Sequence, residues 1–252
     1  MKHRGCAWLL LFVFMISLLS CGPSMEKKRA HAKATRELGE AYMRQGSYTE
    51  ALKEMLKAEQ INPGDHLIQN DLGLIYMSKY AYDLAEKHFI KALQIKPDYA
   101  AAKNNLGTVY LARKDWHAAI KTFKSLEGSL LYATPHYPLS NLGFAYYSLG
   151  EYKTAEMYYH RALDIEPNFP YALRGLGKTY IALVKIPEAV SVLEKAVREA
   201  PAWPELYLDM GMAYRMSGQY TKALLAYTKV PELAPDSKAA AEAQEEIKKM
   251  QQ

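Results

Sequence analysis

Cysteine is almost absent from this sequence: Cys6 and Cys21 are the only two among 252 residues. No disulfide framework can be built from them, and Cys6 sits inside an N-terminal apolar run. Glycine, at 14 residues, and proline, at 12, are too sparse for a collagen-like or disordered chain. Charge of one sign is also scarce. The 32 basic and 27 acidic residues give a formal net charge of +5, and without Lys2 and Arg4 the balance is 30 against 27. A dedicated nucleic-acid binder concentrates basic residues on one face, and nothing of that kind is present. After residue 21 no run approaches the ~20 apolar residues that a membrane-spanning helix needs. The seven histidines are scattered, without HExxH or another close ligand spacing, and no GxSxG appears. Gly175-Leu176-Gly177-Lys178-Thr179 resembles the end of a phosphate loop, but Ala172 stands where that motif needs glycine. The reading is therefore a chain with no catalytic residues, no metal site, no cofactor, no nucleic-acid partner and no small-molecule substrate.

What is present begins with an address. Lys2, His3 and Arg4 precede an apolar run from Cys6 to Leu19 that only Ser17 interrupts, the pattern of a secretory signal over 1–20. Leu18-Leu19-Ser20-Cys21 resembles the lipobox of bacterial lipoproteins. That resemblance implies cleavage before Cys21, a diacylglyceryl thioether on its sulfur and acylation of the new amine, with palmitate-like chains holding the protein to a membrane. Gly22 stands where aspartate would favour the inner membrane. The implied location is the periplasmic face of the outer membrane of a Gram-negative cell. Residues 21–31, including Glu26-Lys27-Lys28-Arg29, read as a lipidated tether.

The body is periodic. Gly39, Gly73, Gly107, Gly143, Gly177 and Gly211 are spaced by 34, 34, 36, 34 and 34 residues. A tyrosine follows each by three places, at Tyr42, Tyr76, Tyr110, Tyr146, Tyr180 and Tyr214. An alanine follows each by twelve, and five of the six units close on a proline: Pro63, Pro97, Pro167, Pro201 and Pro235. Apolar residues three and four apart mark two helices per unit. Glycine inside a helix costs ~1 kcal/mol relative to alanine, so its recurrence predicts close approach of the paired helix. The pattern resembles the tetratricopeptide repeat. The expected fold is all-α, a right-handed superhelical solenoid of six helix–turn–helix repeats over 32–65, 66–99, 100–135, 136–169, 170–203 and 204–237, with a solvating capping helix over 238–252. Repeat three departs: Leu126 and Leu131 replace the alanine and proline, Gly128 and Ser129 break the helix, and Pro135 and Pro138 constrain the junction.

In this repeat class the first helices line the concave face, which implies a partner-binding groove. Its residues are Asn70 and Leu74; Asn104, Asn105, Thr108 and Leu111; Tyr137, Asn141, Phe144 and Tyr147; and Tyr171, Arg174 and Lys178. Asparagine amides can clasp a peptide backbone, and the aromatic rings can anchor apolar side chains. Lipobox, tether, six repeats and the segment Leu131-Tyr132-Ala133-Thr134-Pro135 followed by Asn141-Leu142-Gly143 together resemble the pilotin lipoproteins of type IV pilus systems. That resemblance implies a non-enzymatic outer-membrane protein whose partner is a pilus secretin subunit. The alternative is a general periplasmic interaction scaffold serving another envelope assembly or export complex.

Overall fold

A computed structural model describes residues 24–127 and 134–251. Their regular structure is helical throughout, in two compact units divided after Pro97. The first unit holds α1 (Met25–Arg44), α2 (Tyr48–Ile61), α3 (His66–Ser78) and α4 (Tyr82–Ile95). The second holds α5 (Ala100–Ala112), α6 (Trp116–Lys124), α7 (His136–Ser148), α8 (Tyr152–Ile165), α9 (Pro170–Ala182), α10 (Ile186–Glu199), α11 (Pro204–Met216), α12 (Tyr220–Leu233) and α13 (Lys238–Met250). None of the described helices is long and apolar enough to cross a membrane. Residues 1–23, with Cys21 and the leader, and residues 128–133, with most of the repeat-three junction, lie outside the described residues.

Each helical pair closes on the same contact. A Cβ added to Gly73 would lie 2.5 Å from the Phe89 ring, one at Gly107 2.6 Å from Phe123, and one at Gly211 2.6 Å from Tyr227. Met55, Tyr159 and Leu193 stand in the same relation to Gly39, Gly143 and Gly177. In every repeat the intruding side chain comes sixteen places after the glycine. The missing Cβ lets a large side chain of the second helix lie directly on the first helix's backbone, at the density of a packed interior. The alanines at the +12 place, Ala51, Ala85, Ala119, Ala155, Ala189 and Ala223, are all fully buried and allow the helices to converge there.

The turn between paired helices is equally uniform. Seven places after the glycine, the backbone is left-handed at Gly46, Tyr80, Lys114, Gly150, Val184 and Gly218. One residue later the amide donates to the carbonyl of the repeat tyrosine, as Ala81 N–H does to Tyr76 and Lys185 N–H to Tyr180, both at 2.9 Å. This is the six-to-one bond of a Schellman cap. Glycine takes a left-handed conformation without strain, whereas a β-branched residue there is a true outlier.

Two helices differ from expectation. Residues 25–31, read as tether, are the first turns of α1. Ser24 caps it by accepting the Lys27 amide at 3.3 Å, and Glu26 sits in the first turn where the helix dipole favours an acid. The second helix of repeat three, α6, has 9 residues where its counterparts have 14. It stops at Lys124, where the Ser125 hydroxyl turns back to the Thr122 carbonyl at 2.6 Å, before the sequence reaches Gly128. The expected capping helix, α13, closes the last repeat. Ser237 accepts the Ala240 amide at 3.1 Å, and Ala239, Ala240 and Ala243 pack on Tyr214, Tyr227 and Val230.

Two substitutions test these contacts by opposite signs. Helix propensity alone favours Gly73→Ala by ~1 kcal/mol, but the Phe89 ring makes it an overpacking change that should cost ~1–3 kcal/mol in urea unfolding. Val184→Gly removes a left-handed β-branched residue that is 72% exposed and has little packing to lose. It should stabilise by about 1 kcal/mol and raise Tm by roughly 2–4 °C.

Candidate peptide-binding groove

In the second unit the first helices stand side by side, α5 against α7, α7 against α9 and α9 against α11, with α13 continuing the row beside α11. Their shared face carries a cavity of about 320 Å³. Seven of the residues expected in the groove meet there: Leu111 from α5, Asn141, Phe144 and Tyr147 from α7, and Tyr171, Arg174 and Lys178 from α9. Ser140, Tyr159, Gly175 and Trp203 complete the lining. Ser140 and Gly175 occupy the concave register of their helices, so helical spacing alone could have found them. Tyr159 comes from a second helix and Trp203 from the turn before α11, where the first-helix register carries no signal.

The floor and walls are set by packing. Tyr159 is almost fully buried, and its ring lies against Gly143 and also against Gly175, where a Cβ would collide with it. Burial holds its hydroxyl pKa far above the usual phenol range. Around it runs an aromatic chain in which Phe169 meets Tyr171 at 5.5 Å and Tyr171 meets Trp203 at 4.8 Å. The Arg174 guanidinium lies 5.2 Å from the centre of the Trp203 ring, and the Lys178 ammonium 5.3 Å from that of Tyr147. Arg174 Nε also donates to Asp209 Oδ2 at 2.6 Å. Burial pushes the Asp209 carboxyl pKa up, and Arg174 and Lys178 oppose that shift. The arrangement offers stacking surfaces and oriented cations to a segment laid along the helices.

The remaining expected residues go elsewhere. Tyr137 packs on His136 and Phe169, at 4.5 and 5.0 Å between ring centres. Asn104, Asn105 and Thr108 lie on α5 away from this cavity, with the Thr108 hydroxyl donating to the Asn104 carbonyl at 3.1 Å. Asn70 and Leu74 belong to α3 of the first unit. Leu74 is half-buried. Asn70 is buried, and its amide donates to Asp71 Oδ1 at 3.3 Å. The idea of an asparagine clasp fails at Asn70, because the amide is engaged inside the unit. The Gly175–Thr179 segment lies in the interior of α9, its amides committed to the helix. Among the described residues, no three His, Cys, Asp or Glu side chains gather as a metal site.

Models of the tetratricopeptide repeat match residues 32–65, 70–138, 137–169 and 184–247. The chain is a tetratricopeptide-repeat protein. Such repeats form extended concave binding surfaces and serve as protein-interaction scaffolds. No curated protein sequence matches this one. Among solved structures, the fold is similar to that of PilW, a widely conserved type IV pilus biogenesis factor, with TM-score 0.76, 24% identity, and 82% of this chain and 96% of that one covered. It is similar to PilF of Pseudomonas aeruginosa, with TM-score 0.75, 19% identity, and 88% and 99% covered. YrrB, a tetratricopeptide protein with an unusual peptide-binding site, aligns with TM-score 0.55, 21% identity, and 76% and 97% covered.

The first unit of this repeat protein holds a buried carboxylate. Asp71 on α3 lies 3.9 Å from Arg36 Nη1, and its Oδ2 is buried without a hydrogen bond. Burial raises its pKa to about 7, only partly offset by Arg36. The folded state therefore binds this proton more tightly than the unfolded chain. Its stabilising contribution is complete below pH ~4 and lost as pH rises through about 7. Asp71→Asn should flatten that loss. Urea midpoints measured between pH 4 and pH 8 should fall with pH more steeply in the parent than in the variant.

Proposed function

We propose that the protein is a non-enzymatic lipoprotein of the outer membrane, anchored through Cys21, that binds a segment of a protein partner and promotes localisation and assembly of the type IV pilus secretin. The observation that carries the binding half is the convergence of Phe144, Tyr147, Tyr171, Arg174 and Lys178 on one cavity of a repeat face. Such a cluster of rings and a guanidinium is the composition of an interaction hot spot. The likeness in fold to PilW and PilF supports the choice of system. The lipobox supports the anchor.

The mechanism is escort. Several acyl chains give stable attachment where one chain would hold only marginally. A partner held in the groove is thereby concentrated at the membrane, and each further subunit is recruited at a raised effective concentration. No bond is made or broken in the partner.

Secretin multimers in outer-membrane fractions provide the test. Deletion of the gene should abolish them, and wild type should restore them. Cys21→Ala should remain folded and fail to restore them at the outer membrane. Phe144→Ala combined with Tyr147→Ala should weaken partner binding by roughly tenfold or more while the protein stays anchored. Unchanged multimers in the deletion strain would overturn the pilus role and leave an envelope scaffold with another partner, to be found by crosslinking from position 144 or 147.

A further inference from the structure

A second cavity of about 320 Å³ adjoins the first, and the two share Tyr147 and Lys178 as a partition. Its apolar floor is made by Ile181, Leu208 and Met212. Its far wall is acidic: Glu242, Glu245 and Glu246 project from α13. With Asp209, the lining carries four carboxylates against the single ammonium of Lys178. Each already has a partner, and Asp209 accepts from Arg174 at 2.6 Å. Glu242 meets Lys238 at 3.5 Å, Glu245 meets Lys249 at 2.7 Å, and Glu246 meets Lys249 at 3.0 Å and Arg215 at 3.4 Å. The pairs of Glu242 and Glu245 are exposed and therefore weak, and each carboxylate keeps acceptor capacity.

A further observation at the same place points to a ligand. Tyr227 lines this cavity and is fully buried. Its hydroxyl is buried beside Arg215 without a hydrogen bond of good geometry, while Arg215 Nε is itself paired with Glu246 at 3.4 Å. A buried hydroxyl without a good partner is costly, and a donor from a bound side chain would relieve it.

We propose that this second cavity is a subsite for a lysine or arginine side chain of the bound segment. The preferred partner then presents a bulky apolar residue to the aromatic cavity and a basic residue next to it on the α13 side. The long aliphatic stem of such a residue matches the apolar floor, and its cationic head reaches the glutamates. The inference rests on the first cavity being a peptide site, and it assigns the capping helix a part in specificity.

The test uses the full chain in detergent, panned against a displayed library of random nonapeptides, with Glu242→Gln/Glu245→Gln and Phe144→Ala/Tyr147→Ala variants alongside. Both glutamates are exposed, and unchanged thermal unfolding should confirm that the charge-neutral variant is folded. The expected result is enrichment of peptides pairing an aromatic or large aliphatic residue with a nearby Lys or Arg. Affinity for them should fall roughly threefold to tenfold in the glutamine variant at low salt. Replacing the basic residue of the peptide by norleucine should remove the difference between variant and wild type. Enriched peptides that need Phe144 and Tyr147 but show no basic preference, or that bind the glutamine variant equally well, would overturn the subsite and leave the groove standing. Enrichment of nothing, or of peptides indifferent to both variants, would overturn the groove and the subsite together.

Discussion

The structure depends on one contact, a large side chain of each second helix lying on the bare backbone of the glycine in its first helix. Met55, Phe89, Phe123, Tyr159, Leu193 and Tyr227 differ in shape but occupy the same place. The contact sets how close the two helices come, and the alanines of the second helix follow from that spacing. Once each pair is fixed, the first helices of the second unit are brought side by side and their outer face becomes a lined surface. The left-handed residue after each first helix sends the chain back at the required angle, even where Tyr80, Lys114 or Val184 must bear the conformation.

The groove is therefore not separate from the core. Tyr159 belongs to both, because its ring packs under Gly143 and Gly175 and also forms the base of the aromatic cavity. Above it the chemistry is more polar. Arg174 joins Trp203 to Asp209, and Lys178 lies over Tyr147 between two cavities of opposite electrostatic character. A protein-interaction scaffold needs this combination of a rigid base and a rim with directional groups.

Much of this was legible in the residues, for identifiable reasons. A period of 34 residues repeated across six glycines survives local variation, so the all-α repeat fold could be read directly. The concave register predicted seven of the cavity's side chains, since helical spacing determines which residues share a face. It could not supply Tyr159 or Trp203, which reach the cavity from a second helix and a turn. It also misplaced Asn70, because register says which face a residue occupies and not whether that face is covered. The start of α1 was missed because a charged stretch after a leader looks like a linker, while the capping geometry at Ser24 is only apparent in three dimensions.

Tyr159 divides responsibility within the cavity. A residue gripped between two consecutive helices cannot change without disturbing the repeat pairing, so the depth and orientation of the pocket are inherited from the architecture. Phe144, Tyr171, Glu242 and Glu245, by contrast, border solvent and support little of the packing. Two proteins of this architecture could thus keep one keyway and exchange only its wards, acquiring different partners without ever passing through an unstable intermediate.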